Sequence, residues 1–406
     1  MSTVERDPRL SVEGEGLAGL WARFLRRLRQ GELGSIPVII GLIIIWTFFG
    51  IREENFLTAG NITNLMLQIT AVGIIAVGVV MVLLLGEIDL SVGVVSGLAA
   101  AVMAVLNVNH EWPGWVSILI AVLVGVAIGA FQGFFITYLR VPSFVVTLAG
   151  LLGFQGVLLY VLGSTGTINL NDETITDLAN TFFADWIGWL IALVLIVPYV
   201  LLVINGNRRR AAAGLDTQPV ILLAIRIAIV VGGVIVAVLV LNQDRGVPLA
   251  TVIFIGFVIL FDFITRRTAF GRHVYAVGGN AEAARRAGIS LTRVRMIVFI
   301  MCSTMAAIGG IMAASRLFAV NQASGSGDLL LNAIAAAVIG GTSLFGGRGN
   351  AWSALLGALV IGSISNGMDL MALESSVKYM VTGGVLLLAV TVDATARRGR
   401  QSAGRA

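Results

Sequence analysis

Lysine is almost missing from this 406-residue chain: of 27 lysines and arginines, Lys378 is the one lysine. A phosphate-cradling Walker loop needs Gly-Lys at its tip, and Lys378 follows Val377, so the chain cannot hydrolyse ATP through such a loop. Histidine is nearly as scarce. His110 and His273 fall on opposite predicted sides of a membrane, which excludes a zinc site or a His-based triad. The single cysteine, Cys302, lies in an apolar run, where it can form no intrachain disulfide and is expected to serve as a small packing residue. Charge is also sparse: 12% of residues are Asp, Glu, Lys or Arg, about half the roughly 25% of a soluble domain. The net charge of +5 comes from arginines near the ends of apolar runs, a topology signal and not a nucleic-acid footprint. No clustered carboxylates with a second polar shell support a hydrolase.

What is abundant is apolar length, with 57% hydrophobic residues and a mean hydropathy of +0.95. About 20 apolar residues cross the roughly 30 Å hydrocarbon layer. On that criterion the chain is an all-α polytopic membrane protein of about 12 transmembrane helices, with about ten as the lower bound. The spans fall near 35–50, 63–86, 91–108, 115–139, 143–163, 183–204, 219–241, 247–266, 294–315, 329–345, 351–366 and 376–393. Residues 1–34 then form a cytoplasmic N-terminal tail, 35–396 the transmembrane domain and 397–406 a cytoplasmic C-terminal tail. The N-terminus carries no cleavable signal, and WARFLRRLR at 21–29 reads as an amphipathic membrane-surface segment. With the N-terminus inside, Arg140, the run Arg208, Arg209 and Arg210, the segment 266–295, Arg348 and the tail arginines Arg397, Arg398 and Arg400 all fall on the cytoplasmic side. The opposite loops, NVNHEWPG, GSTGTINLNDETITD, NQASGSGD and GMDLMALESS, are poor in arginine and would face a partner outside.

Several polar interruptions stand out. In the stretch 272–295, RHVYAVGGNAEAARRAGISLTRVR, Asn280 can cap a short helix with Ala284, Ala287 and Leu291 on one face and Glu282, Arg285, Arg286 and Arg293 on another. Glu282 and Arg286 stand four apart in the favourable order, and Gly288 can turn left-handed to stop the helix after about two turns. Such an element suits docking into a groove on a soluble partner; the plainer alternative is a solvated loop.

In GEIDLSVG, Glu87 and Asp89 break an apolar run, and a carboxylate at bilayer depth costs about 2.5–3.5 kcal/mol. Asp89 or Ser91 is expected to cap the next helix, with direct substrate or gating contact as the alternative. The glycine-rich run Gly340, Gly341, Thr342, Ser343 reads as a turn between spans. Gln68, Gln132 and Gln155 can line a polar path or bond neighbouring helices. Gly125, Gly129 and Gly133 form a small-residue ridge for close helix packing. A faint repeat relates LLLGEIDLSVGVVSGLAA to AVIGGTSLFGGRGNAWSALLGALV: apolar helix, glycine-containing break, small-residue helix. Breaks of that kind tend to sit near a transport path.

The blocks GEIDLSVG, RVPSFVVTLAG, TAFGRHVYAVGGNAEAARRAGI and AVIGGTSLFGGRG, in that order, resemble the membrane permeases of ATP-binding-cassette sugar importers, ribose and xylose branch. The resemblance runs over about residues 61–398. NQDRGVP, the two extra spans around 208–243, and the ending NGMDLM with LLLAVTVDATARR are similar to the D-xylose subgroup. Gln132 departs from the family, whose members often carry Asn there.

The resemblance implies a homodimeric or pseudosymmetric permease in the inner membrane, with both termini cytoplasmic. It would receive a monosaccharide from an extracytoplasmic binding protein and grip a cytoplasmic ATPase that carries the ATP and Mg. This chain itself would bind no cofactor or nucleic acid, only lipid and its protein partners. Glu282, Ala283, Ala284, Arg285, Arg286 and Gly288 would form the ATPase-coupling helix. Glu87, Asp89, Ser91, Gly93, Gly340, Gly341, Thr342 and Ser343 would be motif positions at the pathway or gate, with Gln68, Gln132 and Gln155 as sugar-path candidates. The alternative is an ion-coupled secondary sugar transporter, for which Glu87 and Asp89 are the candidate carboxylates before the second half.

Overall fold

A computed structural model describes residues 36–402 apart from 164, 165, 216 and 218. The amphipathic segment 21–29, the N-terminal tail and residues 403–406 lie outside the described residues. The helices run α1 (Ile36–Arg52), α2 (Ala59–Leu84), α3 (Val92–Ala104, continued by a π turn Val105–Asn109), α4 (Gly114–Thr137), α5 (Ser143–Leu162), α6 (Glu173–Asn180), α7 (Asp185–Ala212), α8 (Val220–Asn242), α9 (Leu249–Arg267), α10 (Ala269–Gly279), α11 (Ala281–Arg286), α12 (Leu291–Leu317), α13 (Asp328–Ile339), α14 (Trp352–Leu370) and α15 (Ser375–Ser402). The four short strands are β1 (Thr167–Asn169), β2 (Phe182–Phe183), β3 (Val247–Pro248) and β4 (Ala319–Asn321), paired antiparallel as β1 with β4 and β2 with β3.

Among the described residues nine helices are long and apolar enough to cross a membrane, and three shorter apolar helices, α1, α13 and the first part of α15, stand where the other predicted spans fall. The protein is therefore an all-α, multi-pass membrane protein. From Ala71 onward helix α2 is apolar all round, and 89% of its apolar window is buried, as expected of a helix enclosed by other helices. It packs against α9, α12, α13 and α14. By contrast, none of the apolar window of α8 is buried, so its apolar side chains suit contact with lipid. The glycine ridge does its expected work. A β-carbon on Gly125 would lie 2.8 Å from the Ser303 carbonyl oxygen, and one on Gly129 2.7 Å from that of Phe299, so α4 can approach α12 only because those β-carbons are missing.

The expected span 329–345 is corrected. Its helix α13 stops at Ile339 after 12 residues, about 18 Å of rise, well short of the roughly 30 Å needed. The missing depth is supplied by the preceding loop, expected to lie wholly outside: a β-carbon on Gly97 would overlap the carbonyl oxygen of Ser324, and one on Gly93 would crowd that of Gly325. The loop is thus laid directly on α3. Irregular backbone at that depth is tolerated because protein, not lipid, surrounds it.

The two ends of the bundle sort the connections as the arginine pattern does. Both strand pairs, α6 and the turn after α3 meet at one end; the break after α2, helices α10 and α11, and the loop after α13 meet at the other.

Candidate translocation and coupling sites

At the arginine-rich end, three glycine-bearing segments interlock. Leu84 closes α2, and Gly86 turns the chain with φ of +75°. The Gly347 N–H donates to the Leu84 carbonyl oxygen at 2.9 Å. A β-carbon on Gly278 of α10 would overlap that same oxygen, and one on Gly346 would stand 2.7 Å from the Gly278 oxygen. The Tyr275 hydroxyl donates to the Gly349 oxygen at 2.7 Å. Both breaks of the faint repeat, after α2 and after α13, therefore touch each other and α10. Glu87 lies here too, with its carboxylate 2.9 Å from Arg295. Its polar cost is met by an ion pair near the end of the bundle.

From this knot the chain passes directly into α11. Asn280 caps it as its side chain suggests, Oδ1 accepting from the Ala283 N–H at 2.9 Å. Gly288 has φ of +81°, and the Ile289 N–H reaches back to the Ala284 oxygen at 3.0 Å, a left-handed helix stop. Ala284 is buried. Glu282 accepts from Arg285 at 2.9 Å and from Arg286 at 3.1 Å, with all three side chains more than half exposed. The hydrogen bond from Arg285, then that from Arg286, holds the Glu282 carboxyl below its ordinary range, and Glu282 in turn raises Arg285. The face assignment needs one correction: Ala287 is exposed, because the helix ends at Arg286 and the next residue already belongs to the turn. The polar stretch also holds more helix than one docking turn, since α10 precedes α11 and α12 starts at Leu291.

Asp89 lies deeper. It is 3% exposed, and Ser91 and Gln132 are fully buried. Asp89 Oδ1 accepts from the Ser91 N–H at 2.8 Å and from the Ser91 hydroxyl at 2.7 Å, while Gln132 Nε2 donates to Ser91 Oγ at 2.6 Å. The Thr147 hydroxyl donates to the Ile88 oxygen at 3.4 Å. Ser91 is the N-cap of α3, yet its side chain makes no bond to the helix amides; the capping expectation is replaced by a tight turn closed by Asp89. The Ser91 hydroxyl instead joins α3 to α4. Gly93 lies one residue inside α3 against the dipping loop, and Gly340 and Gly341 unwind the end of α13. Thr342 and Ser343 are buried in the following loop, and the Ser343 N–H bonds the Arg348 oxygen at 3.0 Å.

This predicts a contrast at Asp89. Asp89→Leu leaves the Ser91 amide and hydroxyl without their acceptor and should destabilise the protein by about 1–3 kcal/mol, whereas Asp89→Asn keeps an acceptor oxygen and most of the stability. Thermal unfolding of the two variants in the same detergent checks it.

The opposite end is closed by hydrogen bonds between loops. Asp172, the N-cap of α6, accepts from Thr174 N–H at 2.8 Å, Asn107 Nδ2 at 2.9 Å and Gly114 N–H at 3.1 Å. Burial pushes its carboxyl up, but these donors outweigh it and leave the group below its ordinary 3.8. Ser315 of α12 accepts from the Ala179 N–H at 3.0 Å and donates to the Thr176 oxygen at 2.9 Å. Arg245 donates to Asn64 at 2.9 Å and lies 4.3 Å from the centre of the Phe182 ring.

The three glutamines do not converge. Gln132 is spent on Ser91, and Gln155 Nε2 donates to the Gln322 oxygen at 3.2 Å. Gln68 alone faces a cavity, of about 220 Å³, between α2, α12, α13 and α14. Arg316, Asn332, Ser365 and Asp369 line it as well; of these four only Asp369 falls in a quoted block, NGMDLM. The available signal was modest: Ser365 and Asp369 stand four apart on α14, and Asn332 interrupts an apolar helix.

An all-helical membrane body with two interrupted helices meeting at one end, a hydrogen-bonded lid of loops at the other and a polar cavity between helices defines a polytopic permease. The chain belongs to the family described as the permease component of the branched-chain amino acid transport system, whose model matches residues 61–390. It is 37% identical to the xylose transport system permease protein XylH of Escherichia coli strain K12 over 372 residues, 91% of this chain and 94% of that protein. The XylH of Haemophilus influenzae is 35% identical over 92% of this chain and 99% of its own length. The ribose import permease protein RbsC of E. coli strain K12 is 31% identical over 87% and 92%. No solved structure matches. As a permease component the chain is a membrane subunit and not an enzyme, and its relatives lend no support to an ion-coupled transporter.

Proposed function

We propose that this chain is the membrane-spanning subunit of an ATP-driven importer for a monosaccharide, D-xylose or a related pentose or hexose, working as a homodimer in the cytoplasmic membrane. The observation that carries it is 37% identity to a xylose permease over 91% of the chain. The arginine pattern supports an orientation with both termini, α10 and α11 on the cytoplasmic side. A separate ATPase, which binds the ATP and Mg, grips α11 through Glu282, Ala283, Arg285 and Arg286. A sugar-loaded binding protein docks on the lid around Asp172 and the β1–β4 pair.

The mechanism is alternating access. When the ATPase subunits close, α11 moves with them. Because only Asn280 separates α10 from α11 and Gly278 bears on the end of α2, displacement passes to α2 and to the loop before α14. Those helices wall the cavity. The pathway opens from the lid side and then toward the knot, and since the sugar arrives from a delivery protein, the permease needs little affinity of its own.

Uptake of labelled D-xylose into vesicles decides the class. With this subunit alone it should stay at background, and it should appear only when the ATPase, ATP and the binding protein are all supplied. Uptake driven by an ion gradient without them would refute the proposal.

A further inference from the structure

We propose that the cavity between α2, α12, α13 and α14 is a transit site for one neutral monosaccharide, held by Gln68, Asn332 and Ser365; this rests on the importer reading above. Size is the first argument. About 220 Å³ falls below the roughly 300–1,000 Å³ of pockets for drug-sized ligands, which suits one sugar ring and not two.

The second argument is chemistry. Amide and hydroxyl side chains each both donate and accept, as sugar hydroxyls do, and here they come from three different helices around one space. Gln68 is held for this task. Asn366 and Asn61 exchange amide hydrogen bonds at 2.8 and 2.9 Å, and Asn366 Nδ2 also reaches Gln68 Oε1 at 3.4 Å. That chain occupies the Gln68 oxygen and, among the described residues, nothing takes its NH2 donors. Ile69 and Ile361 supply apolar wall for the C–H face of a ring.

The third argument is charge. Arg316 and Asp369 are the charged residues among those that line the cavity. One cation and one carboxylate therefore face the space, so neither an anion nor a cation is favoured, and a neutral polyhydroxyl ligand is. None of the lining residues is aromatic, so no stacking platform adds affinity, as suits a site that must release what it receives.

Thiol labelling tests the site without the ATPase. In the purified full-length Ser365→Cys variant, the introduced thiol lines the cavity while Cys302 is fully buried. At about 100 mM D-xylose a site with a Kd of about 10 mM is roughly nine-tenths occupied, and labelling by a small charged thiol reagent should slow about tenfold. Maltose and inorganic phosphate at the same concentration should leave it within about twofold of the unprotected rate. Failure of D-xylose to slow labelling, or equal slowing by maltose, overturns the site. Adding Asn332→Leu should abolish the protection; protection that persists in the double variant also counts against it. Because this readout uses neither ATP nor partner, a failure of the importer reading shows in the uptake assay and a failure of the site shows here.

Discussion

Gly278→Ala will cut sugar uptake severely and lower the stability of the protein, while Gly279→Ala next to it will do neither. The reason is local. A β-carbon at 278 would occupy the space of the Leu84 carbonyl oxygen and crowd the Gly347 nitrogen at 2.8 Å, whereas one at 279 meets nothing within 4 Å. Both clashes involve backbone, which cannot step aside as a side chain can. The Gly347 N–H bond to Leu84 must lengthen or break. Forced overpacking typically costs about 1–3 kcal/mol, and at this point the cost is taken by the contact through which α10 bears on α2. Thermal unfolding in detergent measures the first effect, and uptake into vesicles containing the ATPase and binding protein measures the second. Equal behaviour of the two alanine variants would remove the knot from the mechanism.

Glu282→Arg will abolish copurification of the ATPase while the permease still inserts and extracts at its normal level. Glu282 accepts from both Arg285 and Arg286. Reversal places three cations at positions i, i+3 and i+4, where like charges repel. Opposed like charges across an interface cost several kcal/mol, so the retained ATPase should fall by tenfold or more at about 1.4 kcal/mol per decade. Glu282→Gln keeps an acceptor and should lose less. Because the helix is exposed and tied to the bundle mainly through buried Ala284 and its caps, the body should remain folded. Normal ATPase retention by Glu282→Arg would place the docking surface elsewhere.

The short α11 was legible in detail because its determinants are local. An Asn at the cap, a glutamate three and four residues before two arginines, and a glycine after the last turn act within a few residues of one another. Ala287 was misplaced only because the helix ends one residue before it. The half-length of α13 was not legible. Val338, Ile339, Gly340 and Gly341 continue an apolar run in composition, and nothing nearby reports that the loop before α13 is to be laid on Gly93 and Gly97 some 230 positions earlier. Gln132 shows the same limit: its partner Ser91 is 41 residues away, so of the two readings open to this buried amide, a polar path or a bond between helices, only the packing picks the second.

The sequence alone determined the class: apolar runs long enough to cross a bilayer, arginines on alternate connections, no lysine-bearing phosphate loop and no histidine or cysteine cluster. Those are sums over composition and short spacing, and hydrocarbon acts on each span separately. Tertiary structure alone decided that the breaks after α2 and α13 meet at Gly278, and that Gln68, Asn332 and Ser365 surround one space. Such contacts join groups up to some 300 residues apart, and which polar side chain meets another helix and which faces a cavity follows from the packing of the whole bundle.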